Sequence, residues 1–316
     1  MKKVLFIDSV HSVLIERLEK YGFECIDGTK FSLEEIQVLL PEIFGIVIRA
    51  RFTMNEEFLA NAKALKFIAR SGSGLENIDQ NYCKQQNIKL FNSPEGNRNA
   101  VAEHALGMLL ILLNHLHIAD LQIRNGVWNR EGNRGEELDG KTVGIIGFGN
   151  NGAAFAKKLR GFDVKVMAYD KYKTGFGDHF VHECTLEAIM EQADVVSFHI
   201  PLNKETKYWG STDFFNAFAK PIILLNLSRG KIENTKDLVQ ALKSGKIRAA
   251  GLDVLEFETK SFESFFEQHL PEEFQYLIQA ENVVLSPHVG GWTKESYFKL
   301  SDVLADKILD WMGSIS

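Results

Sequence analysis

The sequence predicts an α/β protein built from two doubly wound parallel-sheet domains. Residues 2–98 alternate short apolar segments with amphipathic ones, and a second series of this kind begins at residue 142. Such alternation is typical of parallel sheets covered by helices on both faces. A long helical pattern over 99–124, without an internal proline, lies between the two series and suits a connector. The 316 residues are enough for two domains that each bury a core.

The first series supplies five strand candidates and three helix candidates. The predicted strands are 4–7, 23–26, 46–48, 65–69 and 88–91, and the predicted helices are 12–20, 32–40 and 55–61. Ser32 followed three residues later by Glu35 indicates a capping box at the start of the second helix.

The second series opens with a glycine-rich turn between a strand and a helix. The apolar run 143–146 predicts a buried strand, Gly147, Gly149 and Gly152 follow, and 164–169 predicts a second strand that ends at Asp170. These glycines permit a tight turn, a close approach of backbone to a pyrophosphate, and close packing of helix on strand. The start of the helix, predicted over 153–162, offers free N–H groups to the phosphates. Asp170 suits an adenosine ribose and would repel a 2′-phosphate, so the predicted cofactor is NAD rather than NADP.

The remainder of the chain continues the same pattern. Strands are predicted at 195–198, 222–226, 249–253 and 283–285, and an amphipathic helix at 293–311. The segment 256–280 is acidic and aromatic, and we interpret it as an excursion with some helix of its own. Its aromatic residues are Phe257, Phe262, Phe265, Phe266, Phe274 and Tyr276.

Composition narrows the possible functions. A net charge of −6 without a Lys/Arg block argues against a nucleic-acid partner. Cys25, Cys83 and Cys184 are widely spaced and odd in number, which fits neither a disulfide framework nor a metal site and suits a reducing compartment. The longest apolar run, 105–113, is far shorter than the ~20 residues of a membrane span. The prediction is a cytoplasmic protein with no bound metal and no membrane partner.

Three polar side chains follow predicted strands of the second series. Arg229 follows the strand 222–226, Glu258 lies beyond 249–253, and His288 follows 283–285. Taken singly, they can be a surface ion pair, a solvated acid and a turn histidine. Ligands bind at the carboxyl ends of the strands in open α/β sheets, so together these side chains predict a site for the nicotinamide.

Seven motifs give the chain a resemblance to the D-isomer-specific 2-hydroxyacid dehydrogenases over almost its whole length. They are RSGSGLENID at 70–79, NAVAEH at 99–104, GFGNNG at 147–152, HIPL at 199–202, NLSRG at 226–230, GLDV at 251–254 and SPHVGG at 286–291. The resemblance implies a discontinuous flavodoxin-like substrate domain, 1–98 plus 288–316, and a Rossmann NAD-binding domain, 99–287, with a cleft between them. It also implies a homodimer through the NAD-binding domain. The helix around 105–113 suits such an interface, and burial inside the domain explains its apolar character equally well.

The resemblance also assigns roles to residues. His288 is implied as the acid/base for the substrate hydroxyl, Glu258 as the partner of its ring, and Arg229 as the group that grips the carboxylate and carbonyl. The implied cofactor contacts, beyond the glycines and Asp170, are Asn150, Asn151, Leu227, Ser228, Asp253 (accepting from the carboxamide) and Gly290. Backbone N–H groups of Ser73 and Gly74 are implied to hold the substrate carboxylate. The chain departs from the family pattern at Asn151, at Thr259, at Trp292 and in the long Glu258–His288 spacing.

Arg49 and Arg51 bear on the substrate. Residues two apart on an extended segment point to the same side, so both guanidiniums can clamp one anion. The pair resembles the phosphate-binding arginines of D-3-phosphoglycerate dehydrogenases, although a solvated Arg51 and a strand-end Arg49 explain it nearly as well. No regulatory domain follows Ser316, so feedback by serine is not expected. The leading prediction is a dehydrogenase that acts on 3-phosphoglycerate/phosphohydroxypyruvate in serine biosynthesis. The alternative is a glyoxylate/hydroxypyruvate reductase or another 2-ketoacid reductase. A remote third possibility is an NAD-sensing, corepressor-like binding protein.

Overall fold

The computed structural model describes residues 1–258 and 271–315. Contacts between Cα atoms divide the chain into two compact units. The first unit consists of Met1–Arg98 and Trp292–Ser316, and the second unit is Asn99–Gly291. The second boundary therefore lies four residues beyond the one expected from the sequence.

The first unit contains a five-stranded parallel sheet in the order β2-β1-β3-β4-β5. Its elements are β1 (Lys2–Phe6), α1 (Ser12–Tyr21), β2 (Phe23–Asp27), α2 (Leu33–Leu39), β3 (Ile43–Ile48), α3 (Glu56–Leu59), β4 (Phe67–Arg70), α4 (Gln80–Gln85) and β5 (Lys89–Asn92). The order reverses between β1 and β3, as in flavodoxin-like sheets. The capping box predicted at Ser32 and Glu35 is present at the start of α2.

Both faces of this sheet are covered at its centre, which explains the apolar runs in β1, β3 and β4. Successive side chains of a strand point to opposite faces. Val4 and Phe6 accordingly pack in one cluster with Leu304 and Ile308 of the C-terminal helix, whereas Leu5 packs in the other.

The long helix predicted over 99–124 is two helices. α5 (Pro94–Leu113) begins earlier than predicted, and α6 (Leu116–Arg124) follows after a bend of 63°. His115 lies at the break in the left-handed region, with φ 52°. Sequence periodicity did not reveal this bend because neither proline nor glycine marks it.

The second unit contains a seven-stranded parallel sheet in the order β12-β11-β10-β9-β6-β7-β8. Its elements are β6 (Thr142–Ile146), α7 (Asn150–Lys158), β7 (Lys165–Tyr169), β8 (Val181–Glu183), α8 (Leu186–Gln192), β9 (Val195–Phe198), α9 (Thr212–Asn216), β10 (Ile222–Asn226), α10 (Thr235–Lys243), β11 (Ile247–Leu252), α11 (Glu272–Gln279) and β12 (Val283–Leu285). α12 (Lys294–Ile315) belongs to the first unit, and three short 3-10 turns complete the described elements (Leu40–Glu42, Leu159–Gly161, Gly230–Ile232). The strand order reverses between β6 and β9, so the predicted doubly wound fold is confirmed.

The apolar part of α5 belongs to the core of the second unit. Ala105, Met108, Leu109 and Leu112 are all buried there. Burial within the domain, one of the two explanations considered for this helix, accounts for its apolar character.

Exposed apolar side chains cluster instead on α6 and just after it. They are Leu116, Leu121, Ile123, Val127 and Trp128, and Trp128 is 79% exposed. Among the described residues no single helix is long and apolar enough to cross a membrane, although the bent pair of α5 and α6 together meets the length and composition of a span.

The aromatic segment after β11 is described in part. α11 buries Phe274, against which the Phe257 ring packs edge-on. Phe262, Phe265, Phe266 and the expected departure at Thr259 lie outside the described residues.

Two glycines of α5 offer a matched test of packing. A Cβ on Gly96 would lie 2.6 Å from the backbone nitrogen of Leu300 in α12, whereas a Cβ on Gly107 would meet nothing within 4 Å. We expect Gly96→Ala to lower the free energy of unfolding by about 1–3 kcal/mol, since backbone must move. Gly107→Ala should be neutral or stabilising by roughly 0.5–1 kcal/mol, because alanine favours helix. Urea denaturation followed by circular dichroism measures both, and equal effects would contradict this packing.

Candidate active site

The glycine turn after β6 has the geometry of a phosphate-binding turn. Gly147 lies at φ +95°, and a Cβ on Gly152 would stand 2.0 Å from the Gly147 carbonyl oxygen, so neither position accepts a side chain. A Cβ on Gly149 would meet nothing within 4 Å, so its backbone faces open space. Asn150 starts α7, whose N-terminal N–H groups attract an anion. The residues present therefore fit a dinucleotide pyrophosphate.

Asp170 lies beside a cavity of about 380 Å³ at the end of β7. Its carboxylate accepts hydrogen bonds from the backbone N–H groups of Phe148 (2.8 Å), Tyr172 (2.9 Å) and Lys173 (3.0 Å). These bonds fix the carboxylate at the rim, where a ribose can add further donors. The ammonium group of Lys171 forms an ion pair with Glu205 at 2.5 Å.

His288 and Glu258 form a hydrogen-bonded pair after β12 and β11. Nδ1 of His288 lies 2.8 Å from Oε2 of Glu258, whose Oε1 accepts the backbone N–H of Leu255 at 2.6 Å. A carboxylate only accepts, so Nδ1 carries a hydrogen and Nε2 remains the atom that exchanges a proton. The backbone at His288 has φ 56°, and its N–H donates to the Asp253 carbonyl at 2.8 Å.

Arg229 follows β10 on a turn braced by a buried amide. Nδ2 of Asn226 donates to the Arg229 carbonyl (3.1 Å), and its Oδ1 accepts the Ser228 N–H (2.9 Å). The Ser228 hydroxyl donates to the Phe198 carbonyl at 2.7 Å. Asn226 is fully buried, and no role of its own was predicted for it from the sequence. Its position could have indicated this role: Asn226 is the last residue of a predicted buried strand, where a polar side chain needs hydrogen-bond partners.

Asp253 anchors the loop that carries His288. Its Oδ1 accepts the Ser286 hydroxyl (2.5 Å) and the Val289 N–H (2.9 Å), and its Oδ2 accepts the Gly290 N–H (2.8 Å). Nε2 of His104 lies 2.9 Å from the Ser286 hydroxyl and extends this network to α5. Both carboxylate oxygens thus have protein partners, whereas the sequence resemblance implied that Asp253 accepts from the cofactor carboxamide. No role for Ser286 or His104 was predicted from the sequence.

The other cofactor residues lie around the same sheet edge. Leu227 is buried, and its side chain lies within 3.3 Å of where a Cβ on Gly290 would stand. Oδ1 of Asn151 is buried with no hydrogen-bond partner among the described residues. An aliphatic side chain at this position would leave no such acceptor unpaired.

In the first unit, the predicted carboxylate-binding loop is held by Arg70. Its guanidinium donates to the carbonyls of Arg49 (2.9 Å) and Gly74, which brings the two segments together. The backbone N–H groups of Ser73 and Gly74 have no acceptor among the described residues, while the Ser73 hydroxyl bonds Asn97 at 2.8 Å. Two adjacent unused donors suit an oxyanion.

The guanidinium groups of Arg49 and Arg51 have different surroundings, contrary to the expectation that both side chains point to the same side. Residues 49–51 form a bend whose N–H groups all donate to Oδ2 of Asp8, so the extended geometry behind that expectation is absent. The guanidinium of Arg51 donates to four backbone carbonyls, those of Ile7, Gly28, Thr29 and Phe31. A joint clamp by both guanidiniums is therefore not supported.

The Arg49 guanidinium, in contrast, lies 4.1 Å from the centre of the Trp292 ring and has no hydrogen-bond acceptor among the described residues. Burial lowers the pKa of Arg49, and the nearby Asp8 carboxylate opposes that effect. A partly desolvated guanidinium with unused donors gains much from binding an anion.

A family model matches most of the second unit. The model for the NAD-binding domain of D-isomer specific 2-hydroxyacid dehydrogenases covers residues 106–290. Hydroxypyruvate reductase from Thermotoga maritima is 33% identical over 280 residues, which are 89% of this chain and 88% of that protein.

Two further proteins are similar to this chain, one in sequence and one in structure. D-3-phosphoglycerate dehydrogenase from Archaeoglobus fulgidus is 32% identical over 98% of this chain, which spans 57% of that protein's length. The structure of an NADPH-dependent glyoxylate/hydroxypyruvate reductase from Sinorhizobium meliloti superposes with a TM-score of 0.81 at 27% identity, covering 99% of this chain and 95% of that one.

The anchoring of the His288 loop by Asp253 can be tested in steps. Asp253→Asn replaces one carboxylate oxygen with an NH2 group that faces other hydrogen-bond donors. The loss of a charged hydrogen bond should lower the free energy of unfolding by about 1.5–3 kcal/mol. We expect a lower Tm and a weaker affinity for NADH, measured by calorimetry and by NADH fluorescence. Ser286→Ala removes one of three donors and should cost less on both measures. Equal behaviour of Asp253→Asn and wild type would contradict the anchoring role.

Proposed function

The chain belongs to the D-isomer specific 2-hydroxyacid dehydrogenase family, and on that premise we propose that Arg229, Glu258 and His288 catalyse hydride transfer between NAD and C2 of a D-2-hydroxyacid. The observation that carries this proposal is the 2.8 Å hydrogen bond between Nδ1 of His288 and Oε2 of Glu258. It leaves Nε2 as a proton donor and acceptor on a ring of fixed orientation.

Each residue has a distinct task in the proposed reaction. NAD accepts the hydride in oxidation and NADH supplies it in reduction. Nε2 of His288 takes the proton of the C2 hydroxyl in oxidation and returns it to the carbonyl oxygen in reduction. Glu258 stabilises the imidazolium that forms when Nε2 is protonated. Arg229 binds the substrate carboxylate and polarises the C2 carbonyl by charge-assisted hydrogen bonds.

Loss of the His288 imidazole should separate chemistry from cofactor binding. We expect His288→Ala to lower kcat by about 10²–10⁴-fold, because a general acid/base is removed. Its NADH affinity should stay near wild type. Glu258→Gln should lower kcat less, since the ring loses its charged partner but keeps an acceptor. Exposed His182 of β8 provides the control His182→Ala, which should be neutral. Unchanged kcat in His288→Ala would refute the assignment.

We propose 3-phosphoglycerate/phosphohydroxypyruvate as the substrate pair, with Arg49 as the anchor of the phosphate. Support comes from the unused guanidinium donors of Arg49 and from the Trp292 ring, whose centre lies 4.1 Å from the guanidinium carbon. The backbone N–H groups of Ser73 and Gly74, in the same unit as Arg49, are a proposed site for the substrate carboxylate. The likeness to a phosphoglycerate dehydrogenase over 98% of this chain agrees with this choice.

The second candidate is a hydroxypyruvate or glyoxylate reductase. The commitment of the Arg51 guanidinium to four carbonyls favours it, because only one arginine of the pair remains for a distal anion. The similarity to hydroxypyruvate reductase over 88% of that protein's length favours it as well.

Arginine variants distinguish the two candidates. Arg49→Gln should lower kcat/KM for phosphohydroxypyruvate by roughly 10–100-fold, the loss of a charged hydrogen bond, while glyoxylate reduction falls only a few-fold. Arg51→Gln should lower Tm and reduce both activities equally, since it removes a brace rather than an anion site. Equal losses for both substrates in Arg49→Gln would rule out the phosphate anchor and favour the reductase.

We propose a homodimer that buries the exposed apolar surface of α6 and the residues after it. Isolated exposed apolar residues are ordinary, but five within thirteen positions mark an interaction site. Leu121→Glu combined with Ile123→Glu should convert a dimer into a monomer in sedimentation velocity. The matched pair Leu33→Glu and Val38→Glu changes exposed residues of the first unit and should not. A monomeric wild type would contradict this proposal.

A further inference from the structure

The loop that carries Ser73 and Gly74 is held by groups that follow a neighbouring strand. β4 ends at Arg70 and β5 ends at Asn92, and these two residues are paired in the parallel sheet. The chain beyond Arg70 therefore runs beside the chain beyond Asn92. The reaction proposed above gives no task to Asn92, which is half-buried.

Two successive carbonyl groups of this loop accept hydrogen bonds from the end of β5 and the residue after it. The Gly72 carbonyl accepts the backbone N–H of Ser93 at 2.9 Å. The Ser73 carbonyl accepts Nδ2 of the Asn92 side chain at 2.6 Å. Both carbonyl groups therefore have fixed directions, and both point toward residues 92–93.

A held carbonyl fixes the direction of the N–H group in the same peptide unit. The peptide unit is planar, and in its trans form the C=O and N–H bonds point to opposite sides of the chain. The bond to the Gly72 carbonyl thus directs the N–H of Ser73 away from residues 92–93, and the bond from Asn92 to the Ser73 carbonyl directs the N–H of Gly74 in the same way. In the part of the chain that the structure describes, neither N–H has an acceptor.

The Asn92 side chain acts from a fixed position. The Asn92 backbone carbonyl accepts Nζ of Lys307 in α12 at 2.9 Å, and the same ammonium group pairs with Glu95 at 2.8 Å. A carbonyl oxygen only accepts hydrogen bonds, so Asn92 must present its NH2 group to Ser73. A carboxylate of the same shape at this position cannot make that bond.

We propose that Asn92 is a positioning residue for substrate binding, which holds the Ser73 carbonyl and thereby directs the Gly74 N–H at the carboxylate of the 2-ketoacid. The inference rests on the proposed binding of that carboxylate by the Ser73 and Gly74 N–H groups. Donors that already point at the ligand bind it without the cost of reorienting the peptide. Every 2-ketoacid carries this carboxylate, so Asn92 contributes to the binding of all of them, whereas Arg49 is proposed to contact the phosphate alone.

Asn92→Asp tests this inference, because the carboxylate has the shape of the amide and repels the Ser73 carbonyl. We expect KM for phosphohydroxypyruvate, hydroxypyruvate and glyoxylate to rise by roughly 10–100-fold, the loss of a hydrogen bond to a charged group, while KM for NADH stays unchanged. Asn92→Ala removes the donor without adding a charge and should raise the same KM values less. The control Asn61→Asp makes the same exchange at an exposed asparagine of the first unit and should change none of them.

Oxamate, an unreactive analogue of 2-ketoacids, reports carboxylate binding without turnover. In calorimetric titrations of the NADH complex, Asn92→Asp should bind oxamate roughly 10–100-fold more weakly than wild type, and Asn92→Ala should lie between them. In 15N–1H spectra of the wild-type complex, oxamate should shift the amide signals of Ser73 and Gly74. The shift of the Gly74 signal should be lost in Asn92→Asp.

Wild-type affinity for oxamate in both variants would overturn the inference, and a lower Tm with unchanged affinity would show that Asn92 only stabilises the loop. An equal loss of NADH affinity would overturn it as well, because a positioning role toward the substrate carboxylate leaves cofactor binding intact. Should Asn92→Asp not fold, Asn92→Ala and the wild-type spectra decide. A Gly74 amide signal that does not respond to oxamate in wild type would overturn the inference.

Failure of the proposed function has a different signature. A wild-type protein that turns over none of the 2-ketoacids, yet binds oxamate at the Gly74 amide and loses this binding in Asn92→Asp, would refute the proposed function and support the role of Asn92. Turnover of 2-ketoacids with the same KM values in wild type and Asn92→Asp would support the proposed function and overturn the inference.

Discussion

The hydrogen bond between His288 and Glu258 is the interaction on which the rest of the site depends. It joins segments that follow two neighbouring parallel strands and are thirty residues apart in sequence. The pairing of these strands in the sheet brings the two segments together. Because β11 and β12 run in parallel, both side chains emerge at the same edge. The left-handed backbone at His288 turns its ring toward Glu258, and the Asp253 carboxylate holds that loop through three donors.

On the same sheet, close contacts between backbone segments hold the neighbouring loops in place. Gly152 lets α7 pack onto the turn at Gly147, and Gly230 lets the Arg229 turn press on the segment after β11. Each contact excludes a side chain, so the loops are defined by tight packing and by buried amides such as Asn226. Loops held by such contacts give the proposed catalytic groups fixed positions before any substrate arrives.

Much of this could be predicted from sequence because the signals were local. Alternating apolar segments revealed both sheets, and the spacing of Gly147, Gly149 and Gly152 revealed the cofactor turn. The bend at His115 could not, because neither proline nor glycine marks it. The inward path of Arg51 could not, because it depends on backbone carbonyls of residues 7–31, which are distant in sequence. The roles of Asn226 and Asp253 were hidden for the same reason as the path of Arg51: a buried polar side chain has meaning only through its partners.

Initial rates of NADH oxidation by the wild-type protein show whether it reduces 2-ketoacids or only binds the cofactor. The substrates are phosphohydroxypyruvate, hydroxypyruvate, glyoxylate and pyruvate, and the configuration of each product is determined. We expect NADH-dependent reduction of 2-ketoacids to D-hydroxyacids, with the highest kcat/KM for phosphohydroxypyruvate. A protein that binds NADH and reduces none of the four, or that forms the L-products, would contradict it.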